Sequence, residues 1–210
     1  MMTEFWRGPA LAKMMRAIHS YSSMLVLVLL LFFAITGITL NHPDLIISQA
    51  GQVSQQSELE LPPHLQFAEL PESAAGQAEI AAQFRDWLSE EHQLKAAVFS
   101  YTFEIDDMLL ELDFKRPAGY ASVVVDFSAG MAELDMEFGG YLALLNDLHK
   151  GRNAGTSWIL LIDLTAIACI VFALTGFYLI LKQPSRRSLG NSLAMLGIFI
   201  TLFAYILSLH

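Results

Sequence analysis

Charge is scarce in this chain. Only 16% of its 210 residues are Asp, Glu, Lys or Arg, while 54% are hydrophobic; an average soluble domain carries about 25% charged residues. Cysteine is scarcer still. A single Cys169 excludes an intrachain disulfide, and with no metal-ligating residue beside it in sequence it reads as a small buried hydrophobe. Positive charge is in deficit, with 12 Lys+Arg against 21 Asp+Glu and a formal net charge of −9. The deficit is concentrated in residues 41–157, which hold 19 acidic and 6 basic side chains. Such a surface excludes nucleic-acid binding and attracts cations.

What the chain has instead is three long apolar runs: 21–40 and 189–209 without a charge, and 158–181 with one, Asp163. Each is long enough to cross a hydrocarbon core, which takes about 20 helical residues. Unbroken Leu, Ile, Val and Phe indicate helices, since barrel strands are short and alternating. No small-residue cleavage pattern follows the first run, so it is expected to be an uncleaved anchor. Arg7, Lys13 and Arg16 precede it, and Lys182, Arg186 and Arg187 fill the turn between the other two. By the positive-inside tendency both basic sets are cytoplasmic, and the acidic middle segment and the C-terminus lie outside.

Within the middle segment, residues 41–75 read as irregular, with Ser54-Gln55-Gln56-Ser57 and Leu61-Pro62-Pro63 as linker. From 75 to 94 a helical period sets in, with Ile80, Phe84, Trp87 and Leu88 on one face. Alternation then predicts strands at 98–103, 108–114, 120–127 and 131–138, the last two joined at Ser128-Ala129-Gly130. A helix on an antiparallel meander is a small α+β domain. In 138–149, Tyr141, Leu144, Leu145 and Leu148 form an amphipathic stripe expected at the membrane surface.

Two further features bear on chemistry. Phe33-Ala34-Ile35-Thr36-Gly37-Ile38 in the first run resembles Phe172-Ala173-Leu174-Thr175-Gly176-Phe177 in the second. The pair reads either as a small inverted repeat or as ordinary helix-packing residues. Four of the six histidines stand at membrane boundaries: His19 at the inner end of the first run, and His42, His149 and His210 at outer ends. His64 and His92 belong to the soluble segment and read as surface residues.

Two neutral imidazoles from different helices at one depth suit a b-type haem engaged in electron transfer. His42 and His149 meet that condition. His19 is about 35 Å of ideal helix from His42 and would serve a second haem. Lys150 and Arg152 lie outside against the positive-inside tendency and suit haem propionates, while Gly151, Gly155 and Gly37 leave room. The competing reading is that boundary histidines bond lipid headgroups. Asp163 is a candidate proton or quinone site, or else a side chain that snorkels outward.

Several of these stretches carry a family resemblance. Arg16-Ala17-Ile18-His19-Ser20, Thr36-Gly37-Ile38 and Asn41-His42-Pro43-Asp44 resemble the PepSY-associated transmembrane helix family. So do Leu148-His149-Lys150-Gly151-Arg152-Asn153-Ala154-Gly155 with Trp158, Asp163 and Leu174-Thr175-Gly176. The stretch 120–133, with Val125-Asp126-Phe127 and Gly130, is similar to the final hairpin of a PepSY domain. The resemblance implies a bacterial inner-membrane protein with a periplasmic PepSY-like domain. Members include haem-containing reductases of ferric siderophores and ferric iron, and others lie beside periplasmic flavoproteins. This chain has three spans where larger members have four or more, so a complete two-haem path within one subunit is not implied.

The fold expected is therefore an α-helical membrane protein with a PepSY-like α+β domain between helices 1 and 2. Its parts are a cytoplasmic N-terminus (1–20), a first span (21–40), the periplasmic domain (41–137), an interfacial segment (138–157), a second span (158–181), a cytoplasmic turn (182–188) and a third span (189–209). The function expected is outward electron transfer through one or two haems b. The donor is quinol or a cytoplasmic reductant, and the acceptor is ferric iron, a ferric siderophore or a flavoprotein. Membrane lipids and a second copy of the chain are the other expected partners. The rival is a non-catalytic anchored PepSY module that binds a periplasmic partner or protease.

Overall fold

In the computed structural model, which describes residues 8–42 and 51–209, the three apolar runs are helices: α1 (Pro9–Asn41), α4 (Gly155–Leu181) and α5 (Pro184–Leu207). Each is long and apolar enough to cross a membrane. α1 begins well before its apolar run, because Pro9 suits a first helical turn and the polar residues up to Ser20 include no breaker. Pro43, Asp44 and His210 lie outside the described residues.

The chain divides into two units, Met1–Phe32 with Ile162–His210, and Phe33–Leu161. In the first unit, Leu11 and Val26 are buried on α1 and Thr165 and Thr175 on α4. α5 buries no residue of its own. Gly190 brings its backbone directly onto Ile180, where a Cβ would collide with the Ile180 side chain.

The second unit is built on a five-stranded antiparallel sheet in the order β1-β5-β4-β3-β2. Its strands are β1 (Gln52–Glu60), β2 (Val98–Glu104), β3 (Leu109–Arg116), β4 (Gly119–Asp126) and β5 (Met131–Gly139). Helix α2 (Ala74–Glu91) begins at Ser73, whose hydroxyl accepts the Gly76 N–H at 3.2 Å. It covers one face of the sheet with the expected residues, Ile80, Phe84, Trp87 and Leu88. These meet Leu110, Leu112 and Phe114 of β3, Val123 and Val125 of β4, and Leu134 of β5.

Part of the stretch read as irregular, including the Ser54-Gln55-Gln56-Ser57 linker, is strand β1, paired with β5 from Gln52↔Gly139 to Glu60↔Met131. Its sequence, Gln-Val-Ser-Gln-Gln-Ser-Glu-Leu-Glu, is too polar to signal a strand, and backbone pairing to β5 makes it one. After it, Leu61 and Leu65 turn into the core around a short 3-10 turn at Pro63–Leu65.

β5 runs without a loop into α3 (Gly140–Lys150). α3 ends on Gly151, a left-handed residue at φ 67°. Asn153 (φ 52°) and Gly155 (φ 73°) are left-handed too. Glycine adopts that conformation freely, and asparagine is among the side chains that tolerate it best. The two glycines, expected to allow close approach, thus serve first to end α3 and turn the chain into α4.

Candidate functional site

Two histidines are held in the same way. In the second unit, α3 brings His149 against the end of α1. Its Nδ1 is 2.6 Å from the Thr36 hydroxyl, and its ring stands edge-on to Phe33 at 5.2 Å. The ring passes over Gly37, where a Cβ would sit 3.5 Å from His149 Cε1. One turn earlier on α3, Asn146 Oδ1 is 3.2 Å from the Thr39 hydroxyl.

In the first unit, His19 of α1 lies against α4. Its Nδ1 is 3.1 Å from the Phe172 carbonyl and 3.2 Å from the Thr175 hydroxyl. The ring stacks on Phe172 at 4.5 Å and 12°. A Cβ on Gly176 would come within 2.9 Å of His19 Cε1. The repeated Phe-x-x-Thr-Gly pattern is thus a cradle for an imidazole: a ring to pack on, a hydroxyl for Nδ1, and a missing side chain where the ring lies. Thr36 and Thr175 are both buried, at 2% and 7% exposure.

The partners fix the tautomer of His19. The Phe172 carbonyl only accepts, and the Thr175 hydroxyl has its own acceptor in the Val171 carbonyl at 2.7 Å. Nδ1 must therefore carry the proton, which leaves the Nε2 lone pair open in the neutral ring. His149 has the same tautomer available, since the Thr36 hydroxyl can donate to the Phe33 carbonyl at 3.4 Å. An imidazole whose N–H is tied to the protein and whose other nitrogen is open is the arrangement of a metal-ligating histidine. The same bonds also lock one helix to the next.

The other expected site residues are more scattered. His42 is exposed one residue beyond α1, with its backbone N–H toward the Thr39 carbonyl at 3.4 Å. No hydrogen bond or ring contact joins it to His149 among the described residues. Lys150 is exposed in the last turn of α3. Arg152 is exposed with its Nε 3.9 Å from Asp147 Oδ1. The other Asp147 oxygen accepts the Ala118 N–H at 2.9 Å, so this carboxylate ties α3 to the β3–β4 turn. Asp163 is exposed on α4. His64 is exposed, and His92 caps α2 with its ring edge-on to Trp87 at 5.1 Å.

Sequence reasoning found both histidines and the Phe-x-x-Thr-Gly repeat without joining them. The signal was the repeat itself: two copies and two boundary histidines to fill them. Among the described residues no cluster of three or more His, Cys, Asp or Glu is arranged to hold a metal ion. A haem needs only one or two protein bonds to its iron. Each histidine fits one such bond, through Nε2, and the described contacts do not pair His42 with His149 for a second.

Neither the curated proteins nor the solved structures give a match to this chain. A family model described as Putative PepSY_TM-like matches residues 10–210, which takes in all three long helices and the domain between the first two. The chain is a membrane protein of the PepSY_TM-like family.

Proposed function

We propose that the chain is a b-type haem protein of the bacterial inner membrane that passes electrons to a periplasmic acceptor, with its N-terminus inside and its C-terminus in the periplasm. The observation that carries this reading is the pair of cradled imidazoles, each with Nδ1 at a buried threonine and with no hydrogen bond to Nε2 among the described residues. Haem, when bound, supplies one-electron chemistry. His149 and His19 would each hold a haem through Nε2, one on the domain side and a second on the cytoplasmic side. His42 or a second copy of the chain would supply the other ligand to the iron.

Lys150, next to His149 and exposed, is the cation best placed by sequence for propionates, since Arg152 already faces Asp147. Asp163, exposed on an apolar helix, accepts one of the two protons that a quinol donor releases with its two electrons, the other passing to water. The acceptor is ferric iron, a ferric siderophore or a flavoprotein, which makes the chain a ferric reductase or an electron-transfer protein.

The second reading is a non-catalytic anchored PepSY module. It draws on the same contacts, with the histidines acting only as helix locks. The absorption spectrum of the full chain purified from haem-supplemented cells separates the two. The haem reading expects a low-spin haem spectrum that His149→Ala or His19→Ala each diminishes and His64→Ala leaves unchanged. Loss in His42→Ala identifies it as the partner of His149, and retention there points to a second copy. A colourless parent protein overturns the haem reading in favour of the module.

A further inference from the structure

β2 ends the sheet, and among the described residues no strand lies beyond it. One side of its backbone therefore presents unpaired N–H and C=O groups. Natural edges are usually blunted by bulges, proline or lysine. This one pairs with β3 in unbroken register from Val98↔Lys115 to Glu104↔Leu109, and its sequence Val-Phe-Ser-Tyr-Thr-Phe-Glu contains neither proline nor lysine. On its α2-facing side Phe99, Tyr101 and Phe103 form an aromatic strip, with ring centroids 6.2 and 6.0 Å apart. Phe99 and Phe103 are half-buried, and Tyr101 is 38% exposed although it lies on the core side of the sheet.

Beside this strip, between α2 and the start of β2, opens a cleft of about 310 Å³. Arg85 and Lys95 stand at it, with the Arg85 guanidinium over the Phe99 ring at 5.9 Å. They are two of the six cations in a segment with 19 acids. Arg85 also pairs with its neighbour Asp86, an exposed contact of a kind that contributes little and yields to a stronger partner. The opposite edge, β1, is polar and carries two glutamates and no aromatic residue.

We propose that β2 receives an extended segment of a partner protein as a sixth strand, with the segment's C-terminal carboxylate held by Arg85 and Lys95. Main-chain bonds to the open edge supply the affinity, and every second side chain of the segment packs on the Phe99-Tyr101-Phe103 strip. The two cations lie at the Val98 end of β2, so a C-terminal carboxylate reaches them only if the added strand runs antiparallel. Arginine and lysine suit that group through charge-assisted hydrogen bonds. This inference is independent of any haem.

The test uses the full chain in detergent micelles and a display library of nine-residue peptides with free C-termini. Enriched peptides are then synthesised as the free acid and as the C-terminal amide and compared by fluorescence anisotropy. The expected result is alternating apolar and polar residues, with the amide binding about tenfold more weakly. In the double variant Arg85→Gln/Lys95→Gln, both of whose sites are exposed, acid and amide should bind alike. Bound peptide should slow hydrogen exchange of β2 amides and leave those of β1 unchanged. Failure to enrich any peptide, equal binding of acid and amide to the parent chain, or protection at β1 instead of β2 overturns the proposal.

Discussion

The Thr36 hydroxyl stands 2.6 Å from Nδ1 of His149, across 113 residues of sequence. Thr175 meets Nδ1 of His19 at 3.2 Å, across 156. Replacing either threonine by valine keeps the shape and removes the oxygen. Thr36→Val and Thr175→Val should each cost about 1 kcal/mol, as one interhelical hydrogen bond in a membrane does. Thermal unfolding of the purified chain measures this. If the histidines hold haem, each change should also shift the absorption bands or potential of its own site, because the bond to Nδ1 tunes the ligand. A change at both sites from one substitution would contradict the assignment.

The two cradles differ in how tightly the glycine is covered. A Cβ at Gly37 meets the ring of His149 at an ordinary 3.5 Å, whereas at Gly176 it would press to 2.9 Å on His19. Gly37→Ala should therefore be tolerated. Gly176→Ala should displace the His19 ring and cost about 1–3 kcal/mol, the usual range for overpacking. Equal thermal stabilities of the two variants would refute the difference.

Tyr120 on β4 lies opposite Glu137 on β5. A hydrogen bond to Glu137, then the negative charges of Glu137 and Asp135, raise its hydroxyl above the ordinary pKa of 10.0. Because the folded state holds this proton more tightly than the unfolded chain, the contribution to stability is full below about pH 10 and is lost as pH rises through the folded value. Glu137→Gln should bring one tyrosine titration back down. Ultraviolet absorbance of tyrosinate, compared between parent and variant, records it.

Much of the domain is legible in the sequence because its periods are clean. Ile80, Phe84, Trp87 and Leu88 announce the buried face of α2, and alternation announces β2 to β5. β1 is not legible: Gln52–Glu60 has only Val53 and Leu59 as apolar residues, and its strand form comes from β5 rather than from its own side chains. The cradles were half legible. Local sequence shows Phe-x-x-Thr-Gly twice, but which histidine fills each copy is decided by contacts across 113 and 156 residues, which no local period encodes. Likewise, nothing around Asp147 foretells its bond to the Ala118 N–H.

Asp163 is the only acidic residue on α4 and is exposed there. If it accepts protons from quinol, Asp163→Asn should slow quinol-driven reduction about tenfold or more, in line with loss of a positioned acid–base group, and leave haem content unchanged. An unchanged steady-state rate would assign it a structural role.

The proposed orientation makes four claims at once. Reporter fusions at residues 5 and 185 should read cytoplasmic, and those at residue 90 and the C-terminus should read periplasmic, as three crossings require. A cytoplasmic C-terminus would remove one of the three crossings.

The pairing of Gln52 with Gly139 has a consequence for how such a protein is assembled and altered. The chain enters the sheet at β1 and leaves it at the end of β5, and these two points face each other across one backbone spacing, about 5 Å. The chain between them therefore begins and ends at one place, and the bond from the Ala118 N–H to Asp147 ties it to α3 a second time. A cassette with adjacent entrance and exit can be gained, lost or exchanged without moving the chain on either side, as inserted domains are. The helices and the histidines they carry can therefore keep one architecture while the strands between them are exchanged, provided the β3–β4 turn keeps an N–H for Asp147.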